Sequence, residues 1–327
     1  MSAGKKPVAV VGSINIDLVA NTERIPVEGE TVLGSGFQIH PGGKGANQAV
    51  AVARLGYPVR MIGRLGDDAF GAQLRSHLEH AGVDVAGVAT TPGSSGVATI
   101  IVANHGENCI VITPGANARL TPDDLDANLP ILRSSGIVLT QLEIPLETVE
   151  HLAKICAREG IPLILDPAPA KQLPPSLLQA VTWFTPNEIE AAFFTGQNNG
   201  SSESHDPVHA AKALIGRGIP GVVLKLGSRG AFIASEDSLA ERLHSFLVRA
   251  VDTTAAGDAF NGAFAVGLLL GKDPVASARF ATAAAALSVT RAGAQPSMPT
   301  MAEVDHLLSN AAAAVLQNED GIGEETR

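Results

Sequence analysis

The chain has 327 residues, of which 45% are hydrophobic and 17% charged, with a formal net charge of −10, one Trp and one Tyr. That length suits one large α/β domain or two ordinary ones, and the composition excludes a disordered chain. The acidic balance and the scarcity of stacking aromatics exclude a nucleic-acid partner. The two cysteines, Cys109 and Cys156, lie far apart without metal-ligand spacing, so neither a zinc site nor a disulfide framework is indicated, and a reduced, cytoplasmic setting fits.

The chain opens on "MSAGKKPVAVVG". Two lysines before an apolar run imitate a secretory leader, but the run is too short and meets polar Asn15 and Asp17 at once, so it reads as a first strand over 8–12. No stretch is long and apolar enough to span a membrane. The strand ends in Gly12, Ser13, Ile14 and Asn15, without the second glycine through which a dinucleotide fingerprint brings backbone to a pyrophosphate. Residues 14–41 then carry "INIDLVANTERIP" and "ETVLGSGFQIH" with no helical pattern between them.

The following "HPGGKGANQ" (40–48) has the look of a phosphate loop and fails the test twice. Gln38 stands where the first glycine of G-x-x-x-x-G-K-[ST] belongs, and Lys44 is followed by Gly45 instead of Ser or Thr. If a nucleotide binds, another segment holds its phosphates.

Further on, the strand-like runs "VRMIG" (59–63), "GIVLT" (136–140), "PLILD" (162–166) and "GVVLKLG" (221–227) alternate with helical stretches such as "NQAVAVARLG", "PLETVEHLAKICAREG" and "DPVHAAKALIGRG". This is the pattern of a doubly wound, mainly parallel sheet flanked by helices, a Rossmann-like α/β fold. Two excursions interrupt it: 14–41, and "GVATIIVANHGENCIVIT" (96–113), two strands around an Asn-His-Gly-Glu turn. They read as a small antiparallel flap over one edge of the main domain, the alternative being extra edge strands of a single mixed sheet. "NNGSSESHD" (198–206) reads as a surface loop, and its formal sequon at Asn199 carries no functional weight. After residue 252 the chain is nearly all helix, and a polar tail over 316–327 is expected to be flexible. The whole, 1–327, reads as one domain.

"VDTTAAGDAFNGAF" (251–264) is the most informative segment. Thr253 to Gly257 run into a long apolar helix, so the amides of Ala255, Ala256, Gly257 and Asp258 are expected to be unpaired at its positive end, an anion site that replaces a P-loop. Asp258, in the first helical turn, either stabilises that end of the helix or accepts the proton of a hydroxyl attacking the bound phosphate. The nine histidines show no metal spacing beyond His205/His209, a pair of solvated type.

Three segments in order, "GGKGANQAVAVARLG", "DPAPA…TPNEIEA" and "DTTAAGDAFNG", together with "GSINID", "QLEIPLE", "LGSRG" and "TRAGAQPSMP", resemble the signatures of the ribokinase family of carbohydrate kinases from about residue 8 to about 310. The resemblance implies a doubly wound domain whose β-sheet lid, about 14–41 and 96–113, also makes a homodimer contact. It implies ATP-dependent phosphorylation of D-ribose at the 5-hydroxyl, with Mg²⁺ required and K⁺ activating. Asn15, Asp17, Gly43, Asn47 and Glu143 would hold the sugar, with Lys44 supporting that loop or approaching phosphate charge. Asp258 would be the general base, and the amides of Ala255, Ala256 and Gly257 the anion hole. Asn187 and Glu190 would lie near Mg²⁺ and the phosphates, and Gly227, Ser228, Gly230 and Thr282 beside the nucleotide. Lys225 departs from the pattern, standing where Thr is common, and either approaches a phosphate or points to solvent. Asp252, Thr254, Ser288, Arg291, Gly293 and Ser297 match the monovalent-cation site, with Arg291 contributing its carbonyl, since a guanidinium carries donors only.

Overall fold

Along the first strand, β1 (Val8–Val11), every residue is buried, and successive side chains enter different cores. Val8 and Val10 join one with Val50, Phe264 and Phe280, whereas Ala9 and Val11 join another with Leu152, Phe184 and Leu214. A strand apolar on both faces must be covered on both, which puts the sheet between two helix layers. The computed structural model describes residues 5–104, 106–196, 206–237 and 239–321.

The main sheet contains β1, β4 (Val59–Gly66), β5 (Asp84–Thr91), β8 (Ile137–Thr140), β9 (Leu163–Leu165), β10 (Trp183–Phe184), β11 (Gly221–Lys225), β12 (Ala231–Ser235) and β13 (Ala240–Leu243). Among the described residues its order is β13-β12-β11-β10-β9-β8-β1-β4-β5. Pairing is parallel from β5 to β11, and β12 and β13 close one edge antiparallel. On one face pack α1 (Lys44–Arg54), α2 (Ala69–His80), α9 (Ala256–Leu269), α10 (Pro274–Ser288) and α11 (Met301–Gly321). The other carries α3 (Pro122–Ala127), α4 (Leu129–Arg133), α5 (Leu146–Glu159), α6 (Pro175–Ala180), α7 (Glu188–Thr195) and α8 (Pro207–Ile215).

The two excursions form a separate sheet in the order β3-β2-β6-β7, from β2 (Asn15–Thr22), β3 (Gly34–Gly42), β6 (Gly96–Ala103) and β7 (Asn108–Thr113). One expectation is corrected here. The sheet is mixed, because its central pair, β2 with β6, is parallel, while β2/β3 and β6/β7 are antiparallel. The reason is topological: both excursions leave the main sheet beyond the carboxyl ends of parallel strands, β1 and β5, so both run outward in the same direction before turning back.

The sequon at Asn199, His105, His205 and most of the 198–206 loop lie outside the described residues. The helix α11 takes in residues 316–321 of the tail, and 322–327 are also outside. Among the described residues no helix is long and apolar enough to cross a membrane.

Candidate active site

In an open α/β sheet a crevice forms beyond the carboxyl ends of the strands, where the strand order reverses. Here the chain builds β4 and β5 on one side of β1 and then returns to place β8 on the other. The polar residues converge at that point. Ser13 follows β1, Gln141 and Glu143 follow β8, Asp166 follows β9, and Lys225 ends β11.

The "HPGGKGANQ" segment is the seat of α1. The first amides of this helix are already taken by the protein: Lys44 N donates to Glu143 Oε2 (3.3 Å), Gly45 N to Ser13 Oγ (3.4 Å) and Ala46 N to Ser13 O (2.9 Å). An anion finds no free donors there, so this loop is not a phosphate cradle. Gly43 caps the helix at φ 90°, a left-handed conformation costly for any other residue. Ser13 Oγ in turn donates to Glu143 Oε2 (2.6 Å), which fixes the carboxylate beside the loop. The Asp17 carboxylate lies against Gly42. Burial, reinforced by the charges of Glu143 and Asp258, pushes the Asp17 carboxyl up to about 6. Asn15 is buried, and its Oδ1 accepts from Asn117 Nδ2 (2.7 Å), while Asn117 Oδ1 accepts from Ile14 N (2.9 Å). That arrangement orients the Asn15 amide with its N–H groups free of Asn117.

Asp258 sits at 5% exposure in the first turn of α9. Its Oδ2 accepts from Asn47 Nδ2 (3.0 Å) and its Oδ1 from Gln48 Nε2 (3.1 Å). Both amides are themselves fixed from behind. Gln295 Nε2 donates to Asn47 Oδ1 (3.0 Å), and Gln141 Nε2 donates to Gln48 Oε1 (2.6 Å), so each presents N–H to the carboxylate. The contact is possible because α1 and α9 touch at Gly262, where an added Cβ would lie 2.8 Å from Ala51 Cβ and 3.1 Å from Gln48 O. Gln48 Nε2 also donates to Asp166 Oδ2 (3.0 Å), which joins the two carboxylates through one amide.

Burial is the main cause that pushes the Asp258 carboxyl up to about 6; Asp166 adds to it, and Lys44, Asn47 and Gln48 oppose it. Lys44 is half-buried among Asp258, Asp166, Glu143 and Glu190. Burial alone would lower its affinity for a proton, but those four carboxylates carry it above the ordinary lysine value.

Beside this network lies a cavity of about 680 Å³, of the size that takes a nucleotide-like ligand. Its wall includes Gly257, Asp258, Asn187, Glu190, Lys225 and Thr282. At the start of α9, Ala255 adopts φ 59°, a left-handed conformation that an Ala side chain disfavours. Ala256 N donates to Thr253 O (3.3 Å), which narrows the expected set of open amides, whereas among the described residues the N–H groups of Gly257 and Asp258 have no acceptor. The open donors at the helix's positive end, where an anion would be favoured, are therefore this pair.

Asn187 and Glu190 form a reciprocal cap on α7: Asn187 Oδ1 accepts from Glu190 N (2.8 Å), and Glu190 Oε2 accepts from Asn187 N (2.7 Å). Both also face the cavity. Burial raises the Glu190 carboxyl, with Asp166 adding and Lys225 opposing. Two carboxylates that sense each other across the cavity wall suit a hard cation or its water shell, so the donor set fits magnesium. The Gly227–Arg229 turn closes with Gly230 N donating to Gly227 O (3.0 Å), and Ser245 Oγ donates to Ser228 O (2.5 Å). Thr282 Oγ1 donates to Ala278 O (2.8 Å) within α10.

Asp252 joins two loops. Its Oδ1 accepts from Thr254 N (2.9 Å) and Thr254 Oγ1 (2.6 Å), and its Oδ2 from Gly293 N (2.8 Å). Burial would raise this carboxyl, but those donors, with the charge of His40, hold it below the ordinary value. The Arg291 guanidinium is turned away to Glu303, and the Ser288 and Ser297 hydroxyls donate to the carbonyls of Ala285 and Ala294. A carboxylate that pins two carbonyl-bearing loops together fits a monovalent cation, which takes oxygen donors. Among the described residues there is no cluster of three or more His, Cys, Asp or Glu of the kind a transition metal needs.

The sequence reading assigned no role to Gln48, Asn117, Gln141, Asp166 or Gln295. Asp166 had a signal, an acid at the carboxyl end of an apolar strand. The amides had none, because their role is to orient another side chain.

Residues 5–301 match the model of the pfkB family of carbohydrate kinases. The chain is 44% identical over 303 residues to a ribokinase of Bacillus subtilis (strain 168), covering 92% of this chain and 99% of that protein. It is 38% identical over 307 residues to a deoxyribokinase of Salmonella typhi, covering 92% and 98% respectively. The Arabidopsis thaliana ribokinase complexed with ribose and ATP superposes with a TM-score of 0.86 at 37% identity, covering 93% of this chain and 98% of that one. The resemblance read from the motifs is borne out, and with it the doubly wound fold.

Proposed function

The chain belongs to the pfkB family of carbohydrate kinases, and from that membership and the site's geometry we propose that it transfers the terminal phosphoryl group of ATP to the 5-hydroxyl of D-ribose. The single observation that carries the chemistry is Asp258: a buried carboxylate, raised to about 6, whose own N–H is one of the open amide pair at a helix N-terminus. The acceptor hydroxyl gives its proton to Asp258 as its oxygen attacks the terminal phosphorus. The new O–P bond forms as the bond to the β-phosphate oxygen breaks, and ADP leaves with that electron pair. The Gly257 and Asp258 amides hold the charge that develops on the phosphoryl oxygens. Asn15, Asp17 and Glu143, with Asn47 behind them, present acceptors and donors to the sugar hydroxyls. Bound magnesium, near Asn187 and Glu190, supplies charge neutralisation on the phosphates. Potassium at the 252–254 and 291–293 loops supplies order to the segment that carries the amides.

Phosphorus NMR of the product tests the site of transfer. The expected product is D-ribose 5-phosphate, with the phosphorus coupled to the two protons on C5. Coupling to a single anomeric proton would assign the attack to the 1-hydroxyl and refute the reading.

The small sheet is further proposed as both lid and dimer contact. Phe37 and Ile39 of β3 and Val111 of β7 stand exposed on one face of the sheet, an apolar face that a second copy would cover. Light scattering is expected to give about twice the 33.5 kDa chain mass, and Val111→Glu to shift it toward one chain. A wild-type mass of one chain at micromolar concentration would remove the dimer.

A further inference from the structure

Lys225 ends β11 with its backbone held on both sides: it pairs antiparallel with Ala231 of β12, and its N–H donates to Pro186 O (2.9 Å) in a parallel bridge to Asn187. The side chain is only 13% exposed and enters the cavity wall, where Nζ lies 2.8 Å from Asp166 Oδ1. Its second neighbour is the anion seat. A Cβ built on Gly257 would lie 3.3 Å from Nζ and 3.9 Å from Cδ and Cε. The ammonium therefore rests directly over Gly257, whose N–H is one of the two open amides. An anion received by the Gly257 and Asp258 amides arrives within reach of this charge.

Which phosphate it is follows from Asp258. The same residue supplies an amide to the seat and the carboxylate that faces the acceptor, so the group seated there is the one being transferred. Charge in phosphoryl transfer spreads over the three oxygens of that group, and a flexible point charge beside them stabilises it through charge-assisted hydrogen bonds. Asp166 provides the resting place. Its Oδ1 holds the ammonium, while its Oδ2 is tied by Gln48 to the base.

We propose that Lys225 is a catalytic residue whose ammonium leaves Asp166 for the terminal phosphoryl group of ATP, so that the site reads the γ-phosphate and distinguishes ATP from ADP. This rests on the kinase reading above. The residue adds a second side-chain cation, with Lys44 of the same cavity wall, to a seat of backbone dipoles.

Calorimetric titration of ATP and ADP into the wild type, Lys225→Met and Lys225→Arg tests it, together with turnover. Lys225→Met is expected to weaken ATP binding about tenfold to a hundredfold, the loss of one hydrogen bond to a charged group, while ADP affinity stays within about twofold. Turnover falls with it, and Lys225→Arg recovers part of both. Because Lys225→Met strands Asp166 in a site of 2% exposure, the double variant Asp166→Asn/Lys225→Met is measured alongside. Removing the whole pair spares the cost of an uncompensated buried charge, and the same collapse of the ATP to ADP ratio is expected. Equal losses for the two nucleotides, or none for either, would overturn the proposal. Failure of the kinase reading looks different: no sugar would elicit ADP from the wild type, whatever the two affinities.

Discussion

Asp258→Asn is expected to lower kcat by a factor on the order of 10²–10⁴, the usual contribution of a positioned base, while D-ribose affinity changes by less than about tenfold. The separation follows from the geometry. The sugar is to be held chiefly by groups on β2 and in the loop after β8, whereas Asp258 comes from α9 and is oriented by Asn47 and Gln48 of α1. The wild-type pH profile checks the same claim. A carboxyl raised to about 6 holds its proton below that pH and is idle as a base, so kcat/KM rises as pH increases through about 6 and levels above it. Asp17, also raised to about 6, contributes to this limb through sugar binding. The residual activity of Asp258→Asn therefore keeps the binding part of the pH dependence and loses the chemical part. A variant with near-wild-type kcat would show that another group takes the proton.

Gly45→Ala is expected to lower stability and turnover together, because the added methyl meets only backbone. The new Cβ would lie 2.7 Å from Gly12 C and 2.8 Å from both Ser13 N and Ser13 O, all backbone atoms at the end of β1. No side chain can swing aside, so α1 must move off the strand, an overpacking cost of about 1–3 kcal/mol. Since α1 carries Asn47 and Gln48, the displacement also loosens the carboxylate network, and kcat falls together with stability. Gly56→Ala is the control. Gly56 has a positive φ, 68°, and nothing lies within 4 Å of its added Cβ, so its substitution costs only the backbone strain of about 1–2 kcal/mol and leaves turnover unchanged. Urea unfolding paired with ADP release compares the two, and a Gly45→Ala enzyme that matches Gly56→Ala in both would refute this account of the loop.

Much of the fold was legible because its sheet is buried on both faces. The runs "VAVVG", "VRMIG", "GIVLT", "PLILD" and "GVVLKLG" are continuous apolar strands, and they became β1, β4, β8, β9 and β11. The two residues of β10 are too few to show a period, and β12 and β13 form an antiparallel edge whose residues alternate less cleanly. The parallel β2/β6 pair was not legible, since strand direction depends on where the chain leaves the main sheet and not on side-chain period. In the site, Asp258 and its helix start carried a local signal, an acid after a run of small residues. The fate of "HPGGKGANQ" did not: its amides are occupied by Ser13 and Glu143, residues distant in sequence. Lys225 was ambiguous for the same reason, because its two neighbours, Asp166 and Gly257, come from β9's end and α9's start.

The most direct test of the central claim is ADP release by the purified protein with Mg-ATP, comparing D-ribose, 2-deoxyribose, fructose and adenosine, each with and without K⁺. The predicted result is fast turnover on D-ribose, slower turnover on 2-deoxyribose, which leaves a buried polar partner unpaired, and a rise with K⁺. Silence on all four acceptors while D-ribose still binds would contradict the account and leave a sugar-binding protein without phosphoryl transfer.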